Sequence, residues 1–151
     1  MSEGRWTGRR QCCDELRGLC GFGTRLPAER SVNAALIASA AARAGEHAVH
    51  VGAGVGYDTD ILHCLVGRRG KMTATEFGPG PAALLAANFA EASNIRVILG
   101  DGARVAFDRA DIIYANAGAT KLAEVWLDWL ADGGRLILPL TASEFPAGDV
   151  R

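Results

Sequence analysis

Two rhythms of apolar and polar positions alternate along this chain from Pro27 onward. HAVHVG (47–52), KMTATEF (71–77), IRVILG (95–100), ADIIYAN (110–116) and RLILPL (135–140) are short, largely apolar and bounded by glycine or polar residues, which predicts buried strands. Longer segments lie between them. SVNAALIASAAARAG (31–45) is alanine-rich, opens on a serine that can cap and stops at Gly45. YDTDILHCLVG (57–67) sets Ile61, Leu62, Leu65 and Val66 on one face, and PAALLAANFAEAS (81–93) carries proline in its first turn, where the missing N–H costs nothing. TKLAEVWLDWLADGG (120–134) ends in paired glycines. These four segments predict helices. Strands alternating with helices predict an α/β domain with a doubly wound, mostly parallel sheet of about five strands; the expected order is 3-2-1-4-5. Nearly unbroken apolar strands predict cover on both sheet faces. A ligand is expected beyond the carboxyl ends of the strands, where the order of winding reverses. Residues 1–26, rich in Arg, Gly and Cys without a period, read as an irregular arm ahead of a domain over 27–151.

Composition narrows this picture. Lys plus Arg number 16 and Asp plus Glu 17, a balance that does not favour a general nucleic-acid binder. No apolar run reaches the roughly 18 residues that span a bilayer, and the first residues lack the apolar core of a secretory signal. Cys12, Cys13, Cys20 and Cys64 form no CxxC pair, so reduced thiols in a cytoplasmic protein are expected, with no metal site. Gly is 19 of 151, about twice the usual share, so tight turns or close backbone approaches matter here.

The candidate chemistry collects at strand ends. The first strand runs into Gly52-Ala53-Gly54-Val55-Gly56 and then a helix, a backbone on which a ligand can lie against bare main chain. Glu76 ends the second strand, 20 residues after Gly56, where an acid can accept both hydroxyls of a ribose. Asp101-Gly102 ends the third, suited to the edge of an adenine, and Asn116-Ala117-Gly118-Ala119 ends the fourth. Two nucleoside cofactors compete for such a rim. A dinucleotide loop wants GxGxxG, so that pyrophosphate docks on the helix start. Here the pattern is GxGxG, with Tyr57 where the third glycine would stand and Asp58 adding a negative charge. S-adenosylmethionine has no phosphate and carries a cationic sulfonium and amine, so the residues favour it.

VHVGAGVGYDTDIL, TATEF, VILGDGA, IIYANAGA and LADGGRLILPL resemble successive motifs of the class I S-adenosylmethionine methyltransferases, which are Rossmann-like, and resemble most the protein-L-isoaspartate O-methyltransferases. The resemblance covers roughly residues 31–140. It implies that Gly52, Gly54 and Gly56 line the methionine and ribose part of the cofactor, with Ala53 and Tyr57 among the cofactor-binding residues. It also implies that Glu76 binds the ribose, Phe77 flanks the adenine, Asp101 and Gly102 hold its edge, and Ala117 and Gly118 floor the space beside the methyl group. The catalytic residue stays unassigned. Three departures accompany the resemblance. His50 stands where the family carries an acid; Leu26-Pro27-Ala28 stands where it carries a Thr-Ile-Ser segment; and 11 residues after Leu140 cannot supply a last helix and two strands of a seven-stranded sheet.

The resemblance implies methyl transfer to a protein or small-molecule acceptor, including O-methylation of a carboxylate. Alternatives are an inactive or truncated cofactor-binding remnant and an NAD-dependent oxidoreductase. An open edge along 135–140 would invite self-association. Each residue also has a plain reading: turn glycines, a solvated Glu76, a turn-forming Asp101, and a packed strand histidine at His50. Trp126 and Trp129, three apart, place at least one indole in the core, and His63 and Cys64 are assigned no role.

Overall fold

The computed structural model describes residues 28–117 and 121–140; the expected arm, Cys12, Cys13, Cys20 and Gly118 lie outside them. Strands β1 (His47–Val51), β2 (Lys71–Glu76), β3 (Ile95–Leu99), β4 (Ala110–Ala115) and β5 (Leu130–Ile137) form one sheet in the order β3-β2-β1-β4-β5. Every adjacent pair is parallel. This is the expected topology, and it puts the winding reversal between β1 and β4, both of them central.

Helices α1 (Ala28–Ser39), α2 (Tyr57–Val66) and α3 (Pro79–Asn88) cover one face. There Ile37, Ile61, Leu62 and Val66 pack on Ala48, Met72, Ile112 and Tyr114, and Leu85 and Phe89 pack on Ala74. Phe107 and Trp126, the latter on the short α4 (Glu124–Asp128), pack on Val49, Val51, Ile113 and Ala115 of the other face. Alternate strand residues thus enter different cores, and all five residues of β1 are buried. β3 departs from the expected two-sided cover. It is an edge strand, and Arg96 and Leu99 are exposed.

Several boundaries differ from the sequence reading. α1 stops at Ser39 instead of running to Gly45; Ala41 already sits at φ 45°. α3 starts at Pro79, because the earlier of the two prolines takes the first turn, and it stops at Asn88. The largest difference follows β4. The expected helix over 120–134 is only Glu124–Asp128, and the glycine pair lies inside β5. β5 pairs Leu130 with Ala110 and Arg135 with Ile112, so the intervening Ala131–Gly134 forms a bulge. Gly133 takes φ 74°, and a Cβ on Gly134 would meet Leu130 Cγ at 2.7 Å. The glycines that read as a helix stop are needed to fold this bulge.

His50 is the packed strand histidine expected. It is 1% exposed, its Nδ1 pairs with Thr59 Oγ1 at 2.8 Å, and its ring lies 5.0 Å from that of Tyr114. Burial pushes its pKa down from 6.5 to about 3, so the ring is neutral. An unfolded chain therefore takes up this proton first. The stability associated with neutral His50 is complete above pH 6.5 and drains as pH falls toward 3. At pH 5 the loss should be about 2 kcal/mol. Asp58, whose burial raises its pKa, acts in the opposite sense, so the comparison must isolate His50. Urea unfolding at pH 7 and pH 5 should show the wild type losing that much more than His50→Gln. Parallel losses would rule out His50 as the source.

Candidate functional site

The loop from β1 to α2 is shaped by its glycines. Gly52, Gly54 and Gly56 take φ 76°, 56° and 103°, a region that favours glycine. They are not equivalent. A Cβ on Gly56 would lie 2.5 Å from Phe89 Cε2 and 2.7 Å from Leu85 Cδ1, and one on Gly52 would press on Ala117 at 3.1 Å. A Cβ on Gly54 would meet nothing within 4 Å. Gly56 is thus fixed by the α3 packing and Gly52 by the tip of β4, while Gly54 borders open space.

Glu76 ends β2 beside this loop. Its Oε2 accepts the Gly54 N–H at 2.7 Å and its Oε1 the Gly78 N–H at 2.9 Å. The carboxylate is held in one orientation, and each oxygen keeps a further lone pair for a ligand hydroxyl. The next strand tip is built differently. Asp101 Oδ1 accepts the Ala103 N–H at 2.9 Å, closing a turn, and its Oδ2 meets Arg104 Nε at 3.3 Å. A Cβ on Gly102 would lie 2.4 Å from Val51 Cγ1 and 2.7 Å from Thr75 Oγ1, so the close approach of this turn to β1 and β2 demands glycine.

These tips enclose a cleft of about 330 Å³, within the range of small-molecule sites. Gly52, Glu76, Phe77, Asp101, Gly102 and Ala117 line it. Six expected residues therefore converge on one space. Ala53, Gly54, Gly56 and Tyr57 stand in the adjoining loop and helix start, outside the lining. Phe77, 77% exposed, stands at the mouth, free to cover a bound base.

Trp126, Thr75 and Lys121 also line the cleft and were not singled out as site residues. Trp126 had a usable signal, since a buried indole N–H needs an acceptor. It finds one in the Gly102 carbonyl at 2.9 Å, which ties α4 to the turn after β3. Thr75 and Lys121 gave no sequence signal. His63, which looked partnerless, pairs its Nε2 with Asn94 Oδ1 at 2.9 Å; a contact 31 residues away leaves no local trace. Under the loop, the buried Asp58 carboxylate gathers Asn33, Tyr114 and Asn116 on its Oδ2 at 3.3, 3.4 and 3.2 Å. No group of three or more potential metal ligands occurs among the described residues. No described helix is long and apolar enough to cross a membrane.

The arrangement fits a nucleoside. A carboxylate stands ready for vicinal hydroxyls, a cleft lies over three strand tips, and a glycine loop crosses the fourth. A solved protein-L-isoaspartate O-methyltransferase superposes with a TM-score of 0.70 at 23% identity, over 80% of this chain and 39% of that one. Fibrillarin from Aeropyrum pernix, solved with natively bound S-adenosyl-L-methionine, superposes at 0.58 with 22% identity, over 68% of this chain and 50% of its own. The fold is that of the Rossmann-like S-adenosylmethionine methyltransferases. The family model of protein-L-isoaspartate(D-aspartate) O-methyltransferase matches residues 28–146. This chain belongs to that family. The protein-L-isoaspartate O-methyltransferase of Methanococcus vannielii is 32% identical over 103 residues, which are 64% of this chain and 48% of the relative. The chain thus spans about half the length of that relative.

Proposed function

We propose that this chain binds S-adenosylmethionine in the cleft at the strand tips and serves methyl transfer to a carboxylate, the isoaspartyl side chain of a protein being the first acceptor to test. One observation carries the reading: the Glu76 carboxylate is oriented by the Gly54 and Gly78 N–H groups beside the glycine loop, as a ribose site requires. Family membership and the names of the relatives support it, and nothing in them favours a dinucleotide oxidoreductase. In this reading Gly52, Gly54 and the neighbouring loop backbone border the methionine part, Asp101 and Gly102 flank the adenine edge with Phe77 above it, and Ala117 walls the cleft near the methyl group.

S-adenosylmethionine supplies a methyl carbon on positive sulfur, open to direct displacement by an oxygen nucleophile. A carboxylate acceptor is already ionised at neutral pH, its ordinary pKa being about 4, so the protein needs no strong general base. Its contribution is alignment and exclusion of water, worth about 7–11 kcal/mol in well-oriented pairs. That accounts for cofactor-side groups with no catalytic dyad among the described residues.

Thermal unfolding with S-adenosylhomocysteine tests the binding half. At a hundredfold excess over Kd the melting temperature should rise by about 10 °C. Methyl transfer from labelled S-adenosylmethionine to an isoaspartyl peptide tests the chemical half. Absence of any thermal shift would overturn the reading. A shift without transfer to any carboxylate acceptor would leave a cofactor-binding remnant.

A further inference from the structure

We propose that Asp58 is the fixed counter-charge of this site, the group by which the chain distinguishes the sulfur cation of S-adenosylmethionine from the neutral thioether of its demethylated product. The assignment rests on the cofactor reading above and adds a residue to it.

Asp58 is the second residue of α2 and is 6% exposed. The donors on its Oδ2 come from two parts of the chain: Asn33 of α1, and Tyr114 of β4 with Asn116 just past its end. All three are neutral. They hold the carboxylate in place without cancelling its charge. Asp101, Asp108, Asp132 and Glu46 each pair with an arginine or lysine. Asp58 pairs with no cation among the described residues, and its burial raises its pKa. A buried carboxylate without a cation is costly, and the cost is recovered when a cation arrives.

The position says which part of a bound ligand the charge faces. Asn116 donates its backbone N–H to the Val51 carbonyl at 2.9 Å, so it sits where the tips of β1 and β4 meet. Its neighbour Ala117 lines the cleft and packs against Gly52. Asp58 therefore lies at the β1–β4 corner. A nucleoside with its ribose on Glu76, at the tip of β2, and its base beside Asp101–Gly102, after β3, sends its 5′ substituent the other way, toward β1 and β4. The sulfur and the amine both lie on that substituent. His50, the nearest titratable residue on β1, is neutral and turned toward Thr59, so it supplies no charge there. A carboxylate in a site of low polarity acts over several ångströms without touching its partner.

Calorimetric titration of wild type and Asp58→Asn with both ligands tests this. Asp58→Asn should weaken S-adenosylmethionine about tenfold or more and S-adenosylhomocysteine less than about threefold. Equal weakening of the two would assign Asp58 to a group the ligands share, such as the amine, or to a structural role, and would overturn the proposal. Should the Asn variant fail to fold, Asp58→Glu and Asp58→Gln form a second pair of equal length that differs in charge. The Glu variant should favour the cationic ligand over the neutral one more than the Gln variant does, and identical preferences would likewise overturn the proposal. Wild type that binds neither ligand overturns the cofactor reading and this assignment together. Wild type that binds both, with variants that do not discriminate, overturns this assignment alone.

Discussion

Glu76→Ala should weaken S-adenosylhomocysteine binding by about 100-fold and remove most of the thermal stabilisation it gives. The carboxylate accepts the Gly54 N–H through one oxygen and the Gly78 N–H through the other, and both oxygens are left to accept ribose hydroxyls. Hydrogen bonds to a charged group contribute about 1.5–3 kcal/mol each, so two of them amount to at least about 3 kcal/mol, or two orders of magnitude in Kd. The substitution also frees Gly54 from its anchor and loosens the loop that the ligand lies against. Glu76→Gln keeps one good acceptor and should fall between the two, near tenfold. Isothermal titration of the three proteins gives the answer. Binding by Glu76→Ala within threefold of wild type would show that the ribose lies elsewhere.

Gly56→Ala should be the most damaging small substitution in the glycine loop, and Gly54→Ala a mild one. Both glycines take positive φ, which costs an alanine about 1–2 kcal/mol. At Gly56 the new Cβ also meets Phe89 Cε2 at 2.5 Å and Leu85 Cδ1 at 2.7 Å. Leu85 is fully buried and Phe89 7% exposed, so neither has room to swing aside. Overpacking adds about 1–3 kcal/mol, for a total of roughly 2–5 kcal/mol. A fall in melting temperature of about 8 °C or more is expected for Gly56→Ala, and less than half of that for Gly54→Ala. Circular dichroism melts without ligand decide it. Equal falls would mean that the α3 packing does not constrain this glycine. The pattern separates two reasons for a glycine in such a loop, since Gly56 serves helix packing and Gly54 stands beside the ligand's space.

The elements of the sheet were legible because their signals are local. A short apolar run followed by glycine, repeated along the chain, specifies parallel strands, and it puts Gly52, Glu76, Asp101 and Ala117 on one rim. The folded chain brings those four to one cleft. The same local logic misread LADGG. A glycine pair after an amphipathic stretch is a helix stop by pattern, yet here β4 supplies a partner ladder, and the pair is spent on a bulge inside β5.

The sequence alone determined the strand segments, the glycine loop and the acid beside it, because each signal comes from residues close together in the chain. Only the tertiary structure decided how those residues are held. Trp126 reaches Gly102 across 24 positions, His63 reaches Asn94 across 31, and Asp58 reaches Tyr114 and Asn116 across 56 and 58. Such pairs leave no period in the chain. They exist because the parallel sheet carries distant segments to the same end, where buried polar groups must find partners or pay for their desolvation.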